Sequence, residues 1–183
     1  MAFIRTPRQR WVEQGMAALA TGGPDAVRIE VLARDLGVTK GGFYGHFADR
    51  QALLDEVLDT WERSSVDDVI TRIEAEGGDG RTRLRRLFSI ASTDARDLHR
   101  TDLAVRQWAR RDRGVASRLR GVDNRRMTYL RTLFATFCAD EADVEARCTV
   151  AMALFVSSHL LATDHGRRTR GQAIDLALER LLA

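Results

Sequence analysis

The fold of this chain is decided by residues 37–47, which read GVTKGGFYGHF. The segment sets four glycines beside three aromatic residues and contains Lys40, the only lysine of the 183-residue sequence. A nucleotide-binding P-loop follows a strand and places its glycines before a Gly-Lys-Ser/Thr sequence. Lys40 instead precedes the glycine pair, and the residues before it have helical periodicity. The segment is therefore interpreted as part of a helix pair and not as a phosphate-binding loop.

A helix-turn-helix motif accounts for the spacing on both sides of Gly37. It requires two short helices, a glycine at the tight turn between them, and apolar residues that fix their angle. The N-terminal end of the second helix enters the major groove of DNA, so Thr39, Lys40, Gly41 and Gly42 are expected to face DNA. The predicted apolar residues of the motif are Leu32, Ala33, Leu36, Phe43 and Phe47.

The glycine pair lies where helix formers are expected. Gly41 and Gly42 each cost about 1 kcal/mol relative to alanine inside a helix. Without Cβ atoms the backbone can approach bases and thymine methyl groups closely, while Lys40 can reach a guanine edge or a phosphate. The alternative is that the glycines only mark a loop. The sequence leaves both interpretations open.

The rest of the chain has the same helical character. Apolar residues recur at spacings of three and four, and no segment alternates for long enough to predict a strand. We therefore predict an all-α fold of about nine helices. The helices are expected at about residues 7–20, 29–36, 40–47, 50–76, 81–95, 101–111, 115–137, 142–164 and 169–182.

Composition narrows the class of protein. The net charge of +3, from 29 basic and 26 acidic residues, is only a weak indication of an anionic partner. Arg5, Arg8 and Arg10 precede the first acidic residue, Glu13, and predict a basic N-terminal arm. Two cysteines are too few for a disulfide framework, no signal-peptide pattern is present, and the longest uncharged run, 148–163, is shorter than a membrane span. These features predict a reduced, cytoplasmic protein.

Residues 32–54, LARDLGVTKGGFYGHFADRQALL, resemble the N-terminal signature of the tetracycline-repressor (TetR) family of bacterial transcriptional regulators. The resemblance extends through the first helix to about residue 60. It implies a homodimer with a three-helix DNA-binding domain at residues 1–48 and a helical ligand-sensing and dimerisation domain at residues 49–183. It further implies a repressor that binds a palindromic operator and is released by a small-molecule ligand.

The resemblance implies two sets of DNA-contacting residues. Side chains in the first set can all donate hydrogen bonds to phosphate, which fixes the register of a protein on DNA. These positions are Thr39, Tyr44, His46 and Arg50. The base-facing positions are Lys40, Gly41, Gly42 and Gly45. Arg28 lies where the family often has a capping serine or threonine, so this residue is expected to face the DNA backbone or to leave the cap to another group. From the residues alone, Tyr44 also fits a core aromatic, and His46 a surface or capping histidine.

The family resemblance also implies a ligand pocket after residue 50, where a bound ligand would shift the long fourth helix and change the separation of two recognition helices. Large side chains on these helices are the candidate lining residues, although each fits an ordinary core equally well. They are Trp61, Phe88, Trp108, Met127, Tyr129, Phe134, Phe155 and His159. Because His159 has no second ligand at i+3 or i+4, no metal or cofactor is predicted.

The last two helices carry more apolar surface than one small domain needs, which predicts dimerisation through them. The alternative is that they close the core of the monomer. The predicted interface residues are Leu154, Ser157, Leu161, Ile174, Leu178 and Leu181.

Two other function classes remain. The sequence has no Gly-x-Ser-x-Gly elbow, no His-Glu-x-x-His, no zinc-binding cysteine pairs and no Rossmann fingerprint, which disfavours an enzyme. A helical adaptor that does not bind DNA is the second alternative. Salt-dependent DNA affinity separates the adaptor from a regulator, because each neutralised phosphate makes binding more sensitive to salt.

Overall fold

The computed structural model describes residues 7–93, 96–158 and 160–183. Every regular element in these ranges is helical, which confirms the all-α prediction. No helix in the same ranges is long and apolar enough to cross a lipid bilayer. The α-helices are α1 Arg8–Gly22, α2 Ile29–Asp35, α3 Lys40–Tyr44, α4 Arg50–Glu62, α5 Asp68–Glu76, α6 Gly80–Thr93, α7 Arg96–Ala109, α8 Arg113–Phe134, α9 Glu141–Ser157 and α10 Arg170–Leu182.

The predicted long fourth helix consists of α4, a π-helical segment at Arg63–Asp67, and α5, in an unbroken run of helical backbone. Ser64, inside the π-helical segment, donates its hydroxyl hydrogen to the carbonyl oxygen of Thr60 at 2.8 Å. A side-chain bond of this kind competes with the backbone ladder. With this run counted as one helix, the described residues form nine helices, as predicted, together with a short 3-10 turn at Pro24–Ala26.

Three predicted helices, α3, α8 and α9, end at least three residues earlier than expected. α3 ends at Tyr44 because the carbonyl of Phe43 accepts two amides, those of His46 at 2.8 Å and Phe47 at 3.1 Å. α9 ends in the same way, since the carbonyl of Ser157 accepts the amides of residues 160 and 161 at 2.9 and 3.0 Å. One of the two bonds at each carbonyl is of the i to i−3 type, which tightens the last turn of a helix.

The chain divides into two compact units, each formed from two segments. Unit 1 contains Met1–Asp67 and Asp97–Gly121, and unit 2 contains Asp68–Arg96 and Val122–Ala183. This division describes packing, whereas the predicted boundary after residue 48 separates functions. The functional boundary stays a prediction.

Unit 1 is built on close packing between α1 and α4, with α2 and α3 packed against each other. Gly15 of α1 permits this approach, because a Cβ atom at this position would lie 2.8 Å from Cγ2 of Val57 on α4. Val57 is fully buried and therefore cannot move aside. The other fully buried side chains of this contact include Trp11, Leu19, Leu53 and Leu54.

Replacement of Gly15 by alanine is expected to destabilise the protein by about 1–3 kcal/mol, because the added methyl group overpacks a closed contact. Gly121 provides the matched control: it lies inside α8, and a Cβ atom there would meet nothing within 4 Å. Gly121→Ala is expected to stabilise the protein by up to about 1 kcal/mol through helix propensity. Urea unfolding of both variants tests this, and equal effects of the two substitutions would contradict the close-approach role of Gly15.

Unit 2 has its own hydrophobic core, to which α6, α8, α9 and α10 contribute. Thr169 starts α10 with a capping box, in which its hydroxyl accepts from the Gln172 amide at 3.2 Å and the Gln172 side chain accepts from the Thr169 amide at 2.9 Å. α10 packs on both α6 and α9. The buried core residues are Leu84, Phe88, Leu130, Leu133, Phe134, Val144, Cys148, Ala151, Leu178 and Leu182.

The predicted interface residues have different exposures. Leu178 is only 4% exposed and belongs to the core of unit 2, so packing inside one chain accounts for its apolar character. Leu161 is 53% exposed. The remaining predicted interface residues are Leu154, Ser157, Ile174 and Leu181, of which Leu154, Ile174 and Leu181 pack against the core of unit 2.

Candidate nucleic-acid interface

The turn between α2 and α3 is fixed by Gly37. Its φ angle is +68°, in the left-handed region that favours glycine. The amide of Gly37 bonds to the carbonyl of Arg34 at 3.0 Å, and the amide of Val38 bonds to the carbonyl of Ala33 at 2.9 Å. These bonds satisfy the last carbonyls of α2 and confirm the predicted helix-ending role of Gly37.

The inner face of α3 is anchored by aromatic packing. Phe43 is fully buried and meets Trp11 edge to face, with ring centroids 5.3 Å apart at 75°. It also stacks on Phe47 at 5.3 Å. Tyr44 contacts Phe43 edge-on but remains 54% exposed, so this residue is not the core aromatic that the sequence also allowed. α3 is thus held from one side and open on the other.

Arg8 connects α1 to the segment that follows α3. Its Nε donates to a carboxylate oxygen of Glu56 at 3.0 Å, and its two terminal nitrogens bond to Glu56 and to the backbone carbonyl of His46. The guanidinium also lies 4.2 Å from the ring centroid of Phe47. Arg8 is predicted in a basic arm, but these four contacts give it a structural role, in which it holds α1 to α4 and to the segment after α3. Arg5, from the same prediction, lies outside the described residues.

The start of α4 is fixed by a cap and by a second arginine. Asp49 is the N-cap of α4 and accepts a hydrogen bond from the Ala52 amide at 2.8 Å. Arg50 donates from Nε to the carbonyl of Val27 at 2.6 Å and from a terminal nitrogen to the carbonyl of Pro24. The guanidinium of Arg50 therefore ties α4 to the loop before α2.

The other predicted phosphate-contacting residues differ in availability. Thr39 occupies the N-cap position of α3 in extended conformation, but its hydroxyl makes no capping bond. Arg28 is the N-cap of α2, also without a side-chain cap, and is exposed. Nε2 of His46 is buried without a hydrogen-bond partner, so this atom cannot reach a phosphate in the observed arrangement. The exposed hydroxyl-bearing residues at this surface are Thr39 and Tyr44.

Lys40 makes an ion pair that the sequence did not predict. Its Nζ lies 2.5 Å from Oε1 of Glu30, which belongs to the first turn of α2. The hydrogen bond to Glu30 raises the pKa of Lys40, and the same bond lowers the pKa of the Glu30 carboxyl group. Both charges are therefore retained at neutral pH. The turn at Gly37 brings the starts of α2 and α3 together. Lys40 and Glu30 are ten residues apart in the sequence, so the pair is not evident from the sequence alone.

The fold does not require glycine at positions 41 and 42. Both residues are helical, which excludes the interpretation that they only mark a loop, and neither has the positive φ of Gly37. A Cβ atom on Gly42 would meet nothing within 4 Å, and one on Gly41 would lie 3.7 Å from Oγ1 of Thr39, an ordinary contact. The missing side chains thus leave bare backbone on α3, for which internal packing gives no reason.

Gly42→Ala is expected to raise the stability of the protein, by up to about 1 kcal/mol, because alanine forms helix better and fits without a clash. The same change is expected to weaken DNA binding about tenfold, comparable to the loss of one base contact. Thermal unfolding and DNA titration measure the two effects. Gly37→Ala is the control, expected to destabilise by about 1–2 kcal/mol because of its left-handed backbone. Unchanged DNA affinity of folded Gly42→Ala would remove this glycine from the interface.

The predicted pocket residues are divided between the units. Trp61, fully buried, and Trp108 belong to unit 1. Four others form one cluster in unit 2, where they contribute to or pack against its core, namely Phe88, Met127, Tyr129 and Phe134. Phe155 lies in unit 2 beneath the guanidinium of Arg126, at 5.0 Å. His159 lies outside the described residues.

Tyr129 has a polar partner within unit 2. Its hydroxyl donates to a carboxylate oxygen of Glu74 at 2.8 Å. Burial, followed by this hydrogen bond, raises the pKa of Tyr129 above its ordinary range. The phenol therefore stays protonated and keeps its bond to Glu74.

A cavity of about 380 Å³ lies in unit 1, between α1, α4 with its π-helical segment, and α7. None of the predicted pocket residues that the structure describes lines this cavity. Small side chains of α1, such as Ala17 and Ala20, leave the space open, and sequence periodicity alone does not mark it. The lining residues are Gln9, Val12, Glu13, Met16, Ala17, Ala20, Thr21, Thr60, Ser64, Leu98, Arg100 and Thr101.

Among the residues that the structure describes, no three histidine, cysteine, aspartate or glutamate side chains come together in an arrangement that could hold a metal ion. Cys148 is buried, and burial raises the pKa of its thiol to about 11. Cys148 is accordingly a protonated core residue at neutral pH.

Comparison with known proteins agrees with the geometry of the motif. Residues 12–57 match the model of the family described as bacterial regulatory proteins, tetR family. No curated protein sequence matches the chain. The matched residues include all of α2 and α3 and most of α1 and α4, the four helices that form the anchored motif.

Solved structures extend the likeness to nearly the whole chain. A putative transcriptional regulator from Saccharomonospora viridis in complex with choline is 19% identical, with a TM-score of 0.80 over 96% of this chain and 94% of that one. A putative TetR-family transcriptional regulator from a Rhodococcus species is 19% identical, with a TM-score of 0.66 over 96% of this chain and 98% of that one. AibR, in complex with isovaleryl coenzyme A and operator DNA, is 14% identical, with a TM-score of 0.69 over 94% and 96%. At these identities the likeness establishes the fold.

Proposed function

Because this chain belongs to the tetR family of bacterial regulatory proteins, we propose that it is a transcriptional repressor that binds a palindromic operator as a homodimer and is released by a small molecule. The observation that carries the proposal is the bare outer face of α3. Gly41 and Gly42 have room for side chains, and their backbone angles do not require glycine. We therefore attribute the missing side chains to a binding partner outside the chain. A major groove approached closely by the helix backbone accounts for it.

The surface supports a division of roles among the predicted residues. Lys40, Gly41, Gly42 and Gly45 are proposed to face the bases, and Lys40 is the one whose side chain has a donor that can reach a guanine edge. The phosphate-contacting candidates with exposed side chains are Arg28, Thr39 and Tyr44. His46 and Arg50 are proposed mainly to position the helices of the motif, since their described contacts hold these helices together.

Selection of bound sequences from a random DNA library, at two salt concentrations, tests the proposed function. A palindromic consensus is expected, because the two recognition helices of a dimer read half-sites about one helical turn apart, or a multiple of it. The Gly42→Leu variant is the matched control and is expected to enrich no sequence, since leucine fills the space at the groove. No enrichment by the wild-type protein at either salt concentration would contradict DNA regulation and favour a helical adaptor.

Homodimerisation is proposed through α9 and α10, which pack against each other and carry exposed apolar side chains. Val150 on α9 and Leu176 on α10 are 54% and 51% exposed. These side chains are proposed to contribute to one apolar patch, which would mark an interaction surface. Leu154, Ser157, Leu161, Ile174 and Leu181 belong to the same helices or follow them directly.

Leu176→Arg is expected to shift the protein from dimer toward monomer in sedimentation velocity, because a charge replaces an exposed apolar contact. The fold should persist, since the side chain is not part of the core of unit 2. Leu178→Arg is the contrasting variant: it places a charge in that core and is expected to unfold unit 2, with loss of helical circular dichroism. A folded Leu176→Arg variant that remains fully dimeric would move the interface elsewhere.

Ligand response is proposed because the family fold occurs in complexes with choline and with isovaleryl coenzyme A. The cavity of unit 1 is a candidate site, since a molecule there touches α1 and α4, which hold α3 in place. The cluster around Phe88 and Tyr129 in unit 2 remains a second candidate. A ligand releases DNA only to the extent that it prefers the unbound arrangement of the protein. Compounds can be screened for release of the selected duplex.

The chain is proposed to have no catalytic activity and to act in the cytoplasm, where a bacterial operator is found. The residues at the DNA surface are explained by binding and positioning. No cofactor is included in the proposal.

A further inference from the structure

The recognition helix begins with a charge that is already paired inside the protein. Nζ of Lys40 lies 2.5 Å from Oε1 of Glu30, and the two side chains are 50% and 66% exposed. Lys40 is the only lysine of the chain and the only cation in α3. Its pairing therefore places a negative charge directly beside the one positively charged side chain of that helix.

The ion pair is not needed for the stability of the motif. Exposed ion pairs contribute little to folding, because solvent screens them and both long side chains lose freedom. The turn is already fixed by Gly37, and α3 is anchored through Phe43. The effect of Glu30 is therefore expected at the DNA surface.

The charges around the pair favour a competition with DNA. The charge of Arg28 helps to lower the pKa of Glu30, and Tyr44 helps to raise the pKa of Lys40. The Glu30 carboxylate has the largest effect on Lys40. A phosphate or a guanine edge that binds Lys40 competes with this carboxylate for the ammonium group. Glu30 also places a negative charge on the surface proposed to face a polyanion.

We propose that Glu30 is an internal counter-ion of Lys40 that holds the affinity of the protein for DNA below the value its basic residues would otherwise give. The inference rests on the proposed DNA-binding function. Glu30 competes with DNA acceptors for the ammonium group, so Lys40 contributes most where DNA offers the better partner. Glu30 is in this sense a specificity-determining residue that need not touch DNA itself.

The first experiment examines the pair without DNA. Because Lys40 is the only lysine, selective 13C labelling of lysine gives one side-chain NMR signal, whose titration reports its pKa directly. In Glu30→Gln this pKa is expected to fall toward the ordinary lysine value. In Asp35→Asn, which removes one charge from the end of the same helix, the pKa is expected to stay. An equal pKa in wild type and Glu30→Gln would overturn the proposal, since no pair would then exist in solution.

The second experiment is a double-mutant cycle on a random-sequence duplex, with wild type, Glu30→Gln, Lys40→Ala and the double variant. Glu30→Gln is expected to bind more tightly. Its plot of log affinity against log salt should be steeper by about 0.9, which amounts to an additional gain of about threefold to fourfold between about 200 and 50 mM salt. The gain should be larger with Lys40 present than in the Lys40→Ala background, where only repulsion by the carboxylate is relieved. Asp35→Asn should show no coupling to Lys40→Ala.

The outcomes separate this inference from the proposed function. If wild type binds DNA but the Glu30→Gln gain is the same in both backgrounds, Glu30 acts by general repulsion and the counter-ion role is wrong. If Glu30→Gln weakens binding, Glu30 instead positions Lys40 for DNA, which also overturns the proposal. If wild type binds no DNA at any salt concentration, the proposed function fails together with this inference.

Discussion

The contact between Phe43 and Trp11 is the constraint on which the DNA-facing surface depends. α3 is only five residues long and contains two glycines, so its own propensity cannot maintain it. The ring of Phe43 buries this helix against α1, and Phe47 stacks behind it. Arg8 then closes the end of the segment by bonding to the carbonyl of His46 and to Glu56. A weak helix is thus placed by tertiary contacts that all come from one side.

This one-sided anchoring explains how glycine is tolerated on the other side. Stability comes from the inner face, so the outer face of α3 is free to carry no side chains at Gly41 and Gly42. Lys40, the remaining charged group of α3, is held by Glu30 across the turn. The surface therefore presents backbone, two hydroxyl groups and a lysine that is paired with a carboxylate. Such a surface favours recognition by close approach over recognition by many long side chains.

Much of the motif was predictable because its signals are local. Gly37 at the turn, Asp49 as the cap of α4 and the apolar face of α2 depend on neighbours within a few residues, and periodicity or propensity reveals them. The bond from Arg8 to Glu56 joins residues that are 48 positions apart in the sequence, and no periodic pattern links them. The pair of Lys40 and Glu30 depends on the angle between two helices, which becomes known only when the turn is seen.

Predictions for the remaining helices were less specific for a related reason. An apolar residue at helical spacing fits a core, a pocket wall or a dimer interface equally well, and only its neighbours decide. Leu178 was assigned to an interface and lies in the core of unit 2, whereas Leu176, two residues away, is exposed. The cavity of unit 1 is lined by small residues such as Ala17, which carry no sequence pattern that marks a pocket.

The central claim, that the backbone of α3 reads DNA while α1 and α4 hold it in place, is tested most directly by amide NMR of the protein with and without a selected duplex. The largest shift changes are expected at residues 39–45, with the buried amides of α1 and α4 almost unchanged. Shift changes concentrated in unit 2, with residues 39–45 unaffected by DNA, would contradict the claim.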